Sequence, residues 1–359
     1  MHVLATVVGV SLVGAVLADL VNTLVTTTTS NGRFWLTRIL YTRTWTIVRA
    51  VGHRIRDDDR REKFLSTYAP VSVIALLVAW VAQQIVGFGL IWWGMGGLEG
   101  GKGLADSMYY SGVVFFTLGF GEIVPGGAVP RIGALVEAFA GVLTTALVIG
   151  YLPALYSAYS EREQKLLTLD DGTEGRITPT NLILSRAPTG DPRTLDRFFE
   201  EWEAWVAQVM ETHTTFPMLS LFRSQHLGQH WITALGLVTD AALHMEMIDG
   251  CDGRAPYWML RRSVRLMQQL TSGADLSSHR AALDADFDER VFRDLYDSMD
   301  DHGFPMKPYA EALAQGRDLR RRYDARLEYL IDLLEAPRGF WGHSIGHSIG
   351  PAVGRAPAD

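Results

Sequence analysis

Apolar positions in this chain are crowded into its first half. Residues 3–25 carry one charged side chain, Asp19. Residues 66–98 carry no Asp, Glu, Lys or Arg, and residues 132–160 carry only Glu137. Each run reaches the ~20 apolar residues that a helix needs to cross a bilayer. A fourth run, residues 105–116, is too short to cross and predicts a re-entrant helix between the second and third spans. The glycine-spaced stretch behind it then lies at membrane depth without being helical. Such backbone is tolerated only if buried in protein or lining a water-filled path.

Beyond Glu161 the pattern becomes that of soluble helices. Thr178-Pro179 and Asp191-Pro192 are cap-then-proline starts. Residues 193–212 carry Phe198, Trp202, Trp205, Val206 and Val209 as an amphipathic stripe. Further helices are predicted over residues 226–248, 256–270, 289–299 and 308–334. No run of alternating strands is evident. From Pro337 onward Gly, Pro, Ser and His dominate, and the composition predicts a disordered tail.

Charge sets an orientation. Arg33, Arg38, Arg43, Arg49, Arg54, Arg56, Arg60, Arg61 and Lys63 lie between the first two spans, whereas the next loop holds only Lys102 and Arg131. The positive-inside rule predicts a cytoplasmic first loop, an N-terminus outside and a cytoplasmic C-terminal half. The first span lacks a basic leading region and a cleavage site, so it is read as a retained span rather than a signal peptide. Phe34, Trp35, Ile39, Leu40, Trp45, Val48 and Val51 interleave with the arginines. This fits either a helix at the membrane surface or a solvated basic loop. Arginines recurring at every fifth or sixth position do not make a voltage sensor.

Composition adds exclusions. The formal net charge of -7 gives no sign of nucleic-acid binding. A single cysteine, Cys251, excludes an intramolecular disulfide and a cysteine-based zinc site. Residues 94–103 are glycine-rich, but no strand–helix frame surrounds them, so they read as an extracellular turn. His226 and His230 stand at i, i+4, with His244 and Glu246 beyond. That spacing suits two metal ligands, but no HExxH pattern accompanies it, and satisfied histidines are the simpler expectation. No nucleophile arrangement or phosphate loop is visible, and no enzyme activity is expected.

The chemistry-bearing stretch is Thr117-Leu118-Gly119-Phe120-Gly121-Glu122, preceded by Tyr109, Tyr110 and Ser111. It resembles the pore helix and selectivity filter of potassium channels, Thr-x-Gly-(Tyr or Phe)-Gly followed by an acidic residue. The resemblance covers residues 66–160. It implies a filter in which Thr117, Leu118, Gly119 and Phe120 offer potassium backbone carbonyls in four-fold rings, with Gly121 completing the strand. Glycine supplies the positive φ that such a strand needs at alternate positions. The resemblance also implies a hinge at Gly141, with Gly150 and Pro153 as further flexing points towards the cytoplasm. Pro153 reads equally as the end of the span. Departures from the family pattern are Phe120 for the commoner tyrosine, Leu118 for Val or Ile, Phe116 for Thr and Glu122 for Asp. They keep every carbonyl but put selectivity and inactivation in doubt.

Other polar residues have expected roles. Glu122 either braces the filter against the pore helix or concentrates cations at the outer mouth. Glu137, a costly carboxylate within a span, is expected to pair with the Ser111 or Tyr110 hydroxyl. Asp19 is expected to pair with an arginine of the following loop.

The resulting expectation is an all-α membrane protein with a tetrameric potassium-channel-like pore. The order is an N-terminal transmembrane helix (1–30), a basic helical segment, cytoplasmic or interfacial (31–65), the pore domain (66–160), a cytoplasmic helical domain (161–336) and the tail (337–359). Within the pore domain lie an outer helix (66–95), pore helix (105–116), filter (117–121) and inner helix (131–158). The partners expected are three further copies, the lipid bilayer of the plasma membrane, potassium as permeant ion with no other cofactor, and an unidentified gating ligand on the cytoplasmic domain. A weakly selective cation channel is one alternative. A membrane-anchored sensor or enzyme with a vestigial pore is the other.

Overall fold

The computed structural model describes residues 2–24, 35–169, 178–224, 230–251, 253–285 and 289–337. The chain divides into two units. One holds Met1–Tyr159 together with Thr214–Phe222, and the other holds Ser160–His213 and everything from Arg223. The tail assigned from sequence lies, from residue 338, outside the described residues.

The first unit is built on α1 (His2–Leu24), α2 (Trp35–Gly52), α3 (Asp58–Met95), α4 (Leu104–Phe115) and the greater part of α5 (Ala128–Leu166). α1, α3 and α5 are long and apolar enough to cross a membrane. Their apolar runs explain why: in hydrocarbon a helix satisfies its own backbone hydrogen bonds. α3 begins earlier than the outer helix read from hydropathy. Asp57 caps it by accepting from Arg60 N at 2.8 Å, so the charged turns before Ser66 join the same rod. Gly96, at φ 70°, ends it.

α1 lies closely along α3. A Cβ on Gly9 would run into the Gly87 carbonyl, and one on Gly94 into Thr6. Small residues let two backbones approach in this way inside a membrane. Trp80 Nε1 donates to Asp19 Oδ2 at 2.9 Å, and Gln83 Nε2 to the Leu12 carbonyl at 3.2 Å. The arginine partner expected for Asp19 did not anticipate the Trp80 indole. A two-residue antiparallel pair, β1 (Leu98–Glu99) with β2 (Val124–Pro125), clips together the two ends of the segment that contains α4.

The second unit contains α6 (Pro179–Arg186), α7 (Asp196–Thr215), α8 (Trp231–Met245), α9 (Ala255–Leu270), α10 (Ser277–Ala285), α11 (Glu289–Asp301), α12 (Tyr309–Arg321) and α13 (Asp324–Leu334). Thr178 caps α6 by accepting from Asn181 N, with Pro179 in its first turn. Every residue of α8 is buried, and α6, α9, α12 and α13 pack against it. An all-round buried helix must satisfy its polar groups inside. Asp240 accepts from Arg320 Nη1 at 2.9 Å and from the Tyr323 hydroxyl. The single helix predicted over residues 308–334 is broken at Arg322–Tyr323. Arg320 lies in the last turn of α12 and Tyr323 in the break, and both side chains reach one carboxylate.

Candidate functional site

The site is assembled around the end of α4. Asp106 Oδ2 accepts from the backbone N–H groups of Lys102 and Gly103, at 2.9 and 3.0 Å, and so holds the helix start. At the other end, Leu118 N donates to Val113 O at 2.8 Å and Thr117 N to Val114 O at 2.9 Å. This is the Schellman arrangement, whose left-handed position is usually glycine. Here Thr117 occupies it, at φ 54°. A β-branched residue in that region is an outlier, costing of order 1–3 kcal/mol, and it persists only where the surroundings impose it.

Positive φ then recurs at every second residue: Thr117 at 54°, Gly119 at 64° and Gly121 at 91°. No atom lies within 4 Å of a Cβ built on Gly119 or Gly121, so backbone conformation rather than space explains these glycines. The intervening Leu118 and Phe120 are 55% and 65% exposed in the single chain.

Behind this loop lies a buried polar knot. Glu137 of α5 is fully buried. Its Oε2 accepts from Trp92 Nε1 of α3 at 2.6 Å, and its Oε1 is 2.5 Å from Ser111 Oγ of α4. Ser111 Oγ also lies 2.9 Å from the Ile85 carbonyl of α3. One carboxylate thus ties three helices together. The Tyr110 ring stands edge-on to Trp92, with centroids 5.3 Å apart. Tyr110 therefore supports the site by packing, whereas Ser111 supplies the hydroxyl. Glu122, just past the loop, lies near the Tyr109 side chain of α4. Lower down, buried Gln84 donates to Thr144 Oγ1 at 2.9 Å, joining α3 to α5.

The three flexing positions separate. A Cβ on Gly141 would collide with the Phe115 carbonyl, so this glycine permits close approach of α5 to α4. Gly150 has nothing within 4 Å of a Cβ position. α5 runs unbroken through Pro153 to Leu166, so the proline does not end the helix.

Around Pro153 the chain is gripped by a segment distant in sequence. Met218, Leu219 and Phe222 join Tyr151, Leu155 and Ala158 of α5 in one apolar cluster with Leu76 and Trp80 of α3 and Leu20 of α1. Tyr151 OH donates to Met218 Sδ at 3.2 Å, and the Tyr151 and Phe216 rings meet edge-on at 5.4 Å.

Trp92 and this segment were not picked out from sequence. A signal for Trp92 existed: a buried carboxylate needs more than one donor, and a single hydroxyl leaves one oxygen unserved. His226 lies outside the described residues, and His230 caps α8 by accepting from Ile232 N at 3.2 Å. Among the described residues no three His, Cys, Asp or Glu side chains come together.

Residues 73–157 match the family model described as "Ion channel", and this stretch is an ion-channel domain. A membrane protein of Bacillus subtilis (strain 168), "Uncharacterized membrane protein YdjJ", is 28% identical over 142 residues. The aligned part is 38% of this chain and 39% of that protein, so the chain covers well under half of its relative. No solved structure matches the chain significantly.

Proposed function

We propose that the chain is one of four identical subunits of a potassium channel, with Thr117–Gly121 as its filter. The observation that carries this reading is the positive φ at every second residue, 117, 119 and 121. Such alternation turns successive carbonyls towards one side, as a strand replacing the hydration oxygens of an ion requires. The exposed Leu118 and Phe120 side chains then find cover against neighbouring subunits around a four-fold axis. Glu122, Tyr110, Ser111 and Glu137 hold the strand from behind. The protein sits in the plasma membrane with its N-terminus outside and its helical C-terminal domain in the cytoplasm, and it conducts passively without catalysing a reaction.

Flexing belongs at Gly150 and Pro153 rather than Gly141. Gly141 has no room beside Phe115, whereas the α5 backbone at Gly150 is open and Pro153 lacks a helix hydrogen bond. A weakly selective cation channel is the second reading. Phe120 lacks the hydroxyl that a tyrosine would offer for bracing.

The test is potassium and sodium flux from liposomes carrying the purified protein, with Gly119→Ala alongside. A Cβ at a left-handed position is disfavoured by ~1–2 kcal/mol, repeated in every subunit of one ring. Gly119→Ala should abolish flux while the tetramer mass persists. Thr117→Ala should be milder, since every carbonyl remains. Conduction like the parent's by Gly119→Ala refutes the filter assignment. Equal sodium and potassium flux in the parent favours the second reading.

A further inference from the structure

α2 has two different sides. Tyr41, Thr44, Trp45, Val48 and Gly52 share one stripe, the side turned to α3. There Trp45 packs with Leu65 and Tyr68, and Thr44 Oγ1 meets Tyr68 OH at 2.8 Å. The opposite side carries Arg43, Ile47 and Ala50, all exposed, with Val51 at its flank. Ile47 is 63% exposed and Val51 38%. Past the helix end the chain turns through exposed Arg54 and Arg56. A helix whose second side faced only water would carry polar residues there. This one places isoleucine and valine among arginines.

We propose that this outer face of α2 is seated on anionic phospholipid, with Ile47 and Val51 at the acyl boundary and Arg43, Arg54 and Arg56 against headgroup phosphates. Position is the first argument. Trp45 of α2 packs on Leu65 and Tyr68, at the start of the uncharged run of α3, which is long and apolar enough to cross a membrane, so α2 lies beside the bilayer boundary. Charge is the second. Residues 33–63 contain nine Lys and Arg against four Asp and Glu, in a chain whose formal net charge is -7. The local excess thus opposes that of the chain as a whole and complements an anionic leaflet. The mixed character of the face is the third. Apolar side chains flanked by arginine stems suit an interface with hydrocarbon on one side and phosphate on the other. A free phosphate ion would have no use for Ile47.

The experiment places a polarity-sensitive fluorophore on Ile47→Cys in the full-length chain. The native Cys251 is buried, and the labelled parent serves as background control. The labelled protein is compared in detergent, in phosphatidylcholine vesicles, and in phosphatidylcholine vesicles containing phosphatidylglycerol. The expected result is a blue-shifted emission specific to the phosphatidylglycerol vesicles. Raised salt, or the combined Arg43→Gln, Arg54→Gln and Arg56→Gln substitutions, should remove most of the shift. Equal emission in the two vesicle types overturns the proposal. So does a shift that survives the three substitutions. Disulfide cross-linking of Ile47→Cys copies to one another in vesicles overturns it in favour of a second copy covering the face. Melting of the labelled protein and of the triple variant, matched to the parent, shows that each outcome reports on a folded chain.

Discussion

Glu137 offers the most informative perturbation of the site. Its two oxygens face the Trp92 indole and the Ser111 hydroxyl, all three residues being buried. Glu137→Ala leaves the Trp92 N–H without an acceptor, whereas Ser111 falls back on the Ile85 carbonyl, already 2.9 Å away. An orphaned buried donor costs ~1–3 kcal/mol, and the lost packing adds to it, so the loss is about 2–4 kcal/mol per chain. Glu137→Gln should be nearly silent. Its carbonyl oxygen accepts from Trp92, its amide donates to Ser111 Oγ, and the Ser111 hydroxyl donates to Ile85 O. Trp92→Phe combined with Glu137→Ala should cost less than the two single losses added together, because a donor and its acceptor then vanish as a pair. The assay is the temperature at which detergent-solubilised protein loses its monodisperse peak on size exclusion, read beside liposome flux. If Glu137→Ala melts with the parent, or Glu137→Gln melts with Glu137→Ala, the three-helix tie does not hold the site.

Elsewhere, Gly9→Ala should destabilise the α1–α3 crossing by ~1–3 kcal/mol, because its Cβ meets the Gly87 carbonyl; thermal melting in detergent measures this. Asp240→Ala should remove roughly 3–5 kcal/mol from the helical unit, since Arg320 keeps a buried charge with one partner fewer; denaturant melts followed by circular dichroism read the loss. Burial, with Arg162 and Arg320 respectively nearby, holds His213 and His244 down to about 3, and His230 is also lowered by burial. Between pH 6.5 and 3 the unfolded chain therefore binds protons that the folded chain refuses. Stability from these groups is full above about pH 6.5 and falls as pH drops, by on the order of 1 kcal/mol per unit for each histidine. His244→Met should flatten that slope by roughly a third, as measured by melts between pH 7 and 5.

The spans, the short α4 and the loop after it were legible because each is written locally, in hydropathy or in glycine spacing. α4 differs from the helix read over residues 105–116 by a single residue at each end. What remained hidden depends on tertiary partners. Thr117 as the left-handed end of a Schellman motif is invisible from composition, since glycine is the usual signal there. The Trp92 indole and Glu137 are brought together only by packing of two separate spans. The interruption between α12 and α13 falls at Arg322–Tyr323, with no glycine or proline there to announce it. α5 outruns the predicted inner helix because hydropathy reports where the lipid ends, not where the hydrogen-bonded rod ends.

Thr214–Phe222 gives the protein a property in time. Synthesis proceeds from the N-terminus at about 5–20 residues per second. Tyr159 and Phe222 are therefore made some ~3–13 s apart at that pace. Until then the apolar side chains of Tyr151, Leu155 and Trp80 lack Met218, Leu219 and Phe222, with which they share a core. The membrane half therefore inserts with its core unfinished and waits for a patch encoded beyond α7. A chain cut after Tyr159 would keep every residue of the family match, which ends at residue 157, and still lack that patch. Translation arrest between the two points would leave the same open core for chaperones or lipid to cover.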